Sequence, residues 1–269
     1  MNPAMPAPLD VKLMNMTASV LFTGCALLLL AAGAWWVLRH PGFSITRIVV
    51  QGELVHNSAL TLRAHVLPQL SGNFFTVDLQ AARAAFEEVP WVRRATVRRE
   101  FPGSLRVSLQ EHEAVALWGS RSGTTLLNNF GEVFEASTGD MEQEAMPRLR
   151  GPQEKSAEVL RMYQALQPVM AKAGLALAQL ELTGRGSWRA TLDTDTVIEL
   201  GSGTPTELEQ RVQRFAVTLE QVAAHYGRKT DALQSADLRH EGGYAIKLKG
   251  VTTLAPDVAN TPAPVRRRP

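Results

Sequence analysis

The chain has 269 residues, with 28 Lys and Arg against 26 Asp and Glu. A net charge of +2 excludes a global electrostatic preference for nucleic acid, so any charge-driven contact must be local. The single cysteine, Cys25, lies in an apolar block, which excludes a disulfide or a thiolate metal site in the folded part.

After a short segment, 1–15, residues 16–38 carry no charged side chain and include Leu27 to Leu30 in succession. As a helix this run reaches about 34 Å, slightly more than the roughly 30 Å hydrocarbon core of a bilayer. Trp35 and Trp36 stand at its end, where rings with one polar edge prefer the membrane interface. A cleaved signal peptide competes, because Ala32-Gly33-Ala34 has the small-x-small form of a cleavage site. The apolar run continues to Leu38, which favours an uncleaved anchor. Flanking Lys and Arg are sparse on both sides and do not orient the anchor.

A first soluble domain is expected over 43–118. Ile45-Thr46-Arg47-Ile48-Val49-Val50 reads as a strand closed by Gly52, and Asn57-Ser58 offers a cap for a following helix. Asp78 caps a second helix in which Leu79, Ala82, Phe86 and Val89 recur at helical spacing until Pro90. Val92 to Phe101 is a strand, Pro102-Gly103 a turn, and Leu105, Val107 and Leu109 alternate with polar residues in a third strand. The order β-α-α-β-β predicts a three-stranded sheet covered on one face by two helices. Arg93, Arg94, Arg98 and Arg99 make the strongest local positive patch, which a solvated strand face explains as well as a docking surface does.

The Val-Pro-Trp-Val exit at 89–92, the basic strand, the Phe-Pro-Gly turn and the Leu-x-Val-x-Leu-x-Glu strand together resemble a POTRA domain of the FtsQ/DivIB family of cell-division proteins. The resemblance implies that Arg94, Val97 and Arg99 form a surface that helps recruit the protein to the division site.

A second domain is expected over 119–250. Thr125 to Asn128 and Val133 to Glu135 flank Asn129-Phe130-Gly131 as a hairpin. Residues 154–172 read as an amphipathic helix, with a kink or early end expected at Pro168. Strands follow at 180–183, 188–192 and 197–200. Asp193 and Asp195 between the last two read as turn residues rather than as a metal site or an acid/base pair. The clearest helix starts at Pro205, with Thr204 and Glu207 as a capping box and Gly227 as the stop. Leu208, Val212, Phe215, Leu219, Val222 and Tyr226 form its apolar stripe. A strand at 244–249 comes late in the chain, where edge strands are common and can receive a partner strand. The predicted architecture is thus α+β: one transmembrane helix, a POTRA domain and a second α+β domain with an antiparallel sheet backed by helices.

Asp237-Leu238-Arg239 before a Gly-containing turn, with Gly186-Ser187-Trp188 upstream, extends the family resemblance over nearly all of 43–249. It implies that Arg239, His240, Gly243, Tyr244, Ala245 and Ile246 lie at a docking strand for FtsB, which arrives with FtsL. Enteric members carry an aromatic residue where this chain has His240, and Tyr244 offers a replacement ring. The tail, 251–269, with four prolines and Arg266-Arg267-Arg268, reads as disordered. The six histidines lack metal spacing, and neither a Gly-x-Ser-x-Gly elbow nor a phosphate-cradling loop is present. No enzyme, cofactor, metal or small-molecule substrate is expected. The resemblance implies a scaffold of the inner membrane that binds FtsB, FtsL and other division proteins, with its N-terminus in the cytoplasm, its domains in the periplasm and a role in septal peptidoglycan synthesis. A POTRA-type chaperone or transport component is the alternative reading, and a cell-wall hydrolase or cyclase a further one.

Overall fold

The computed structural model describes residues 9–52, 54–119, 125–137, 146–240 and 242–251. The expected tail beyond Val251, with its arginine run, and the first eight residues of the expected N-terminal segment lie outside the described residues. Two compact units divide at His112 and Glu113.

The first unit opens with α1, Leu9–Leu38, a helix of 30 residues with no buried side chain. It is long and apolar enough to cross a membrane. It starts before the charge-free run at Met16, so Asp10 and Lys12 occupy its first turns.

Beyond it come β1 (Arg47–Gln51), α2 (Ala59–Val66), α3 (Leu79–Glu87), β2 (Val92–Glu100) and β3 (Ser104–Glu111). The sheet order is β1-β3-β2, with β1 parallel and β2 antiparallel to β3. The caps work as the sequence implies: Ser58 accepts the amide of Thr61, and Asp78 accepts those of Gln80 and Ala81. Alternation along the strands sends Ile48, Leu105, Val107, Leu109 and Ala95 to the helix-covered face, where they meet Leu62, Val66 and Phe86.

The motif carboxylate of β3 holds the loop between β1 and α2. Glu111 accepts the amides of Val55 at 2.9 Å, His56 at 3.0 Å and Asn57 at 3.1 Å, and the Asn57 side-chain amide at 2.9 Å. His56 stacks on Trp91 with ring centroids 3.7 Å apart. Burial pushes the Glu111 carboxyl up, but the amides of His56, Val55 and Asn57 outweigh it and the net displacement is downward.

The second unit contains β4 (Ala114–Trp118), β5 (Thr125–Asn128), β6 (Val133–Glu135), β7 (Arg148–Arg150), α4 (Ser156–Lys172), β8 (Leu177–Leu182), β9 (Trp188–Leu192), β10 (Val197–Gly201), α5 (Pro205–His225), β11 (Leu233–Asp237) and β12 (Ala245–Leu248). They build a nine-stranded sheet in the order β12-β11-β10-β9-β8-β7-β4-β5-β6. The expected α+β class holds, but the sheet is mixed rather than antiparallel: β4·β7, β7·β8 and β10·β11 are parallel. The helices α4 and α5 account for the last two pairs, since each carries the chain back across the sheet to a parallel neighbour. The strand 114–118, expected within the first domain, pairs with β5 and β7, so the structure places the boundary at 112/113.

α4 continues past Pro168 to Lys172, so the early end offered as one outcome there does not occur. Pro168 falls in the last turns and is exposed, so water can satisfy the carbonyl its missing N–H leaves free. In α5 the capping box forms as read. Its buried stripe is Leu208, Val212, Phe215, Leu219 and Ala223, whereas Tyr226 is exposed. A period of 3.6 residues carries the stripe from 219 to 223 rather than to 222 and 226. Gly131, at φ 81°, closes the β5–β6 turn; a Cβ there would meet Ala157 at 2.5 to 2.7 Å.

Glu111→Ala leaves three amides without an acceptor and should destabilise the first unit by about 2 kcal/mol. The measurements are the urea midpoint and faster exchange of the Val55, His56 and Asn57 amides, with Glu111→Gln recovering part of the loss. Because the folded carboxyl titrates below its ordinary value of 4.5, the contribution is complete above that pH and is lost as pH falls below it.

Candidate partner-docking edge

β12 is the last strand of the sheet and pairs only with β11, in the register Asp237↔Ala245, Ala236↔Ile246 and Ser235↔Lys247. Among the described residues no strand lies along its outer edge. The amide of Lys249 donates inward, to the carbonyl of Ala232 at 2.8 Å. Amides alternate along an antiparallel strand, so Lys247 and Ala245 also face β11, while Ile246 and Leu248 face outward. The Leu248 carbonyl accepts from Val251, which leaves Ile246 as the residue presenting both an amide and a carbonyl.

The side chains divide by the pleat. Leu248 is buried and Ile246 half-buried against the core, in line with Leu180, Ala190, Ile198 and Ala236 of the neighbouring strands. On the other face Ala245 continues a row of opposed charges. Arg189 of β9 contacts Glu199 of β10 at 2.7 Å and Glu181 of β8 at 3.5 Å, and Glu199 lies opposite Asp237.

The segment between β11 and β12 carries the remaining residues expected at this site, and two of them are engaged internally. Arg239 grips Asp237 with Nε at 2.9 Å and Nη2 at 2.5 Å, while its amide donates to the same carboxylate at 3.1 Å. Those hydrogen bonds pull the Asp237 carboxyl down to about 2. Tyr244 meets Phe215 edge-on at 5.0 Å, and its hydroxyl lies 2.6 Å from that of Thr218. Thr218 donates to the Arg214 carbonyl, so the phenol is the donor in this pair. Tyr244 therefore fastens the segment to α5, and its ring is only half-buried. His240, Gly242, Gly243 and Tyr244 line a groove of about 730 Å³ against α5, with exposed Val217 on its helix side.

Arg94, Val97 and Arg99 on β2 do not share one face. Val97 and Arg99 lie opposite Val107 and Leu105 on the helix-covered side, whereas Arg94 lies opposite Gln110 on the open side. The Arg99 guanidinium donates to the carbonyls of Phe74 and Val77, both at 2.7 Å, and so shapes the loop before α3. Asp237 and Arg239 were read from sequence as one motif but not as an ion pair, and Thr218 was not singled out. The Asp-x-Arg spacing was available as a signal for the first, and no local pattern marks the second.

Two family profiles match the chain: a POTRA domain of FtsQ type over residues 43–112, and the C-terminal domain of cell division protein FtsQ/DivIB over residues 116–239. The second match stops before β12. Among curated relatives, the cell division protein FtsQ of Thiomonas arsenitoxydans is 37% identical over 265 residues, covering 97% of this chain and 96% of the relative. That of Burkholderia pseudomallei is 35% identical, covering 91% and 96%, and that of Neisseria meningitidis 29% identical, covering 82% and 89%.

The folded Asp237 value of about 2 lies below the ordinary 3.8, so its contribution is present above pH 3.8 and lost as pH falls towards 2. A carboxyl titration followed by NMR should give a midpoint near 2 in the native protein, moving towards 3.8 in Arg239→Ala.

Proposed function

The chain belongs to the FtsQ/DivIB family of cell-division proteins, and from that premise we propose that it is a divisome scaffold whose β12 edge docks FtsB, accompanied by FtsL, by strand addition. A single-pass membrane protein with division-protein partners follows from the family and from α1. The proposal adds the partner, the edge and the topology: N-terminus in the cytoplasm, both units in the periplasm, with the complex linking early and late division proteins and controlling septal peptidoglycan synthesis.

One observation carries the reading: β12 is an open edge whose Ile246 presents an amide and a carbonyl away from β11. Strand addition draws affinity from main-chain bonds and selectivity from alternate side chains. Here the outer-face positions are Ala245, small enough to leave room, and Lys247, a charge that disfavours indiscriminate pairing. Arg239 and the groove at His240 and Gly243 flank the same edge and supply its selective part. On β2, Arg94 is the residue of the recruitment surface placed for direct contact, while Val97 and Arg99 support it through the fold.

Glu87, Glu100, Glu111, Glu207 and Asp237 each sit low because hydrogen bonds or ion pairs that shape the fold favour the charged form.

Ile246→Pro in the full-length protein removes the outward amide and adds a ring at the edge. Affinity for the extramembrane part of FtsB should fall by about 100-fold, the equivalent of roughly 3 kcal/mol. Titration calorimetry with circular dichroism as the folding control measures it. Unchanged affinity with an intact fold would move the interface away from β12.

A further inference from the structure

The end of the first unit at which the chain arrives from α1 has a distinct chemistry. Arg47 opens β1 nine residues after Leu38, the last residue of α1. Fully extended, that connection spans at most about 32 Å. Arg47 lies opposite Ser104, and the Thr46 amide donates to the Gly103 carbonyl at 2.9 Å, so the β2–β3 turn shares this end. So does the loop before α3: the Phe74 amide donates to the Phe43 carbonyl at 2.8 Å, and the Asn73 side chain donates to the carbonyl of Leu38 itself.

These converging segments carry an aromatic cluster in which two rings are exposed. Phe75 meets Phe43 at 5.0 Å and Phe74 at 5.3 Å, and Phe101 meets Phe74 at 6.4 Å. Phe101 at the tip of the turn is 78% exposed and Phe75 is 42% exposed. A single exposed phenylalanine needs no explanation, but two in one cluster beside a membrane helix do.

Charge points the same way. The open face of the sheet near this end bears Arg47, Arg98 and Arg106, with Arg98 directly opposite Arg106. Glu100 is the one acidic side chain in these positions, and Arg106 holds it. The side chains of Arg47 and Arg98 make no ion pair or hydrogen bond among the described residues, unlike the tethered Arg99.

Aromatic rings favour the bilayer interface, and each basic side chain near an anionic surface adds attraction of its own. Weak contacts of this kind hold a domain down when an anchor already raises its local concentration. We propose that this end of the first unit rests on the anionic phospholipid surface of the membrane that α1 crosses, with Phe101 and Phe75 in the interfacial layer and Arg47 and Arg98 on headgroup phosphates. The inference rests on the reading of α1 as the anchor and is independent of the docking edge.

The test uses the full-length protein with Cys25→Ser, carrying one environment-sensitive label at Phe101→Cys, Val55→Cys or Leu29→Cys. Val55 is 81% exposed beyond the other end of β1, and Leu29 lies in α1. The protein is reconstituted into phosphatidylglycerol-containing vesicles doped with lipid that carries a quencher at a shallow or a deep position. The expected result is shallow quenching at position 101, none at 55 and deep quenching at 29. Neutralising Arg47 or Arg98 to Gln should lower the ratio of membrane-associated to free states at position 101 by about fivefold each. Quenching at 101 no stronger than at 55, with 29 in the hydrocarbon, overturns the proposal while sparing the anchor. A label at 29 that reports water overturns both. Undiminished shallow quenching in purely zwitterionic vesicles overturns the role given to the arginines.

Discussion

A strand at the end of a sheet leaves backbone donors and acceptors without a ladder partner, and how each edge is finished determines what this protein can bind. Its two sheets have four such edges. β1 is blunted by Arg63, whose guanidinium donates to the Ile48 carbonyl at 3.2 Å. β2 is lined by Arg93, Arg94, Arg98 and Arg99, a density of charge that resists pairing with another chain. β6 is only three residues long. The remaining edge, β12, keeps its outward amide and carbonyl at Ile246 and carries a single charge in its four residues. Among the described residues β12 is thus the least protected of the four edges, which is what the proposed docking requires.

The open edge can serve as a template only if it holds still, and polar groups outside the ladder provide that. Tyr244 and Thr218 fasten the segment leading into β12 to α5, while Leu248 closes the core beneath it. Asp237 and Arg239 brace the segment where it leaves β11. The first unit uses the same device twice, with Glu111 collecting the amides of 55–57 and Arg99 collecting the carbonyls of Phe74 and Val77. In each case a charged side chain satisfies loop backbone that no strand or helix can pair, and a preformed surface loses less conformational entropy on binding.

Local chemistry was legible in the sequence and long-range pairing was not. The Ser58 and Asp78 caps, the Thr204–Glu207 box and the Asn129-Phe130-Gly131 turn depend on residues a few positions apart and appear where they were read. The parallel pairs β4·β7 and β7·β8 join residues 31 positions apart, such as Leu117 with Arg148 and Arg148 with Gln179, which alternation within a strand does not encode. The same limit explains Ala114–Trp118, a strand that reads equally well as the end of one sheet or the beginning of another. At the candidate site, the lateness of β12 suggested an edge. The engagement of Tyr244 with a hydroxyl 26 residues earlier had no sequence signal.

In the proposed docking, the placement of Ile246 limits how a partner is selected. Its side chain packs towards the core while its backbone faces outward, so substitutions that preserve an apolar side chain leave the main-chain template intact. Discrimination then has to come from the opposite face, where the row Glu181, Arg189, Glu199, Asp237 ends at Ala245. With Arg189 shared between two glutamates and Arg239 taken up by Asp237, this row carries one more carboxylate than guanidinium groups. A strand added beyond β12 would set its own side chain beside Ala245, over a methyl group too short to cover the charges behind it. A cationic or hydrogen-bond-donating side chain suits that position, and an acidic one would have to compete with Asp237 for Arg239.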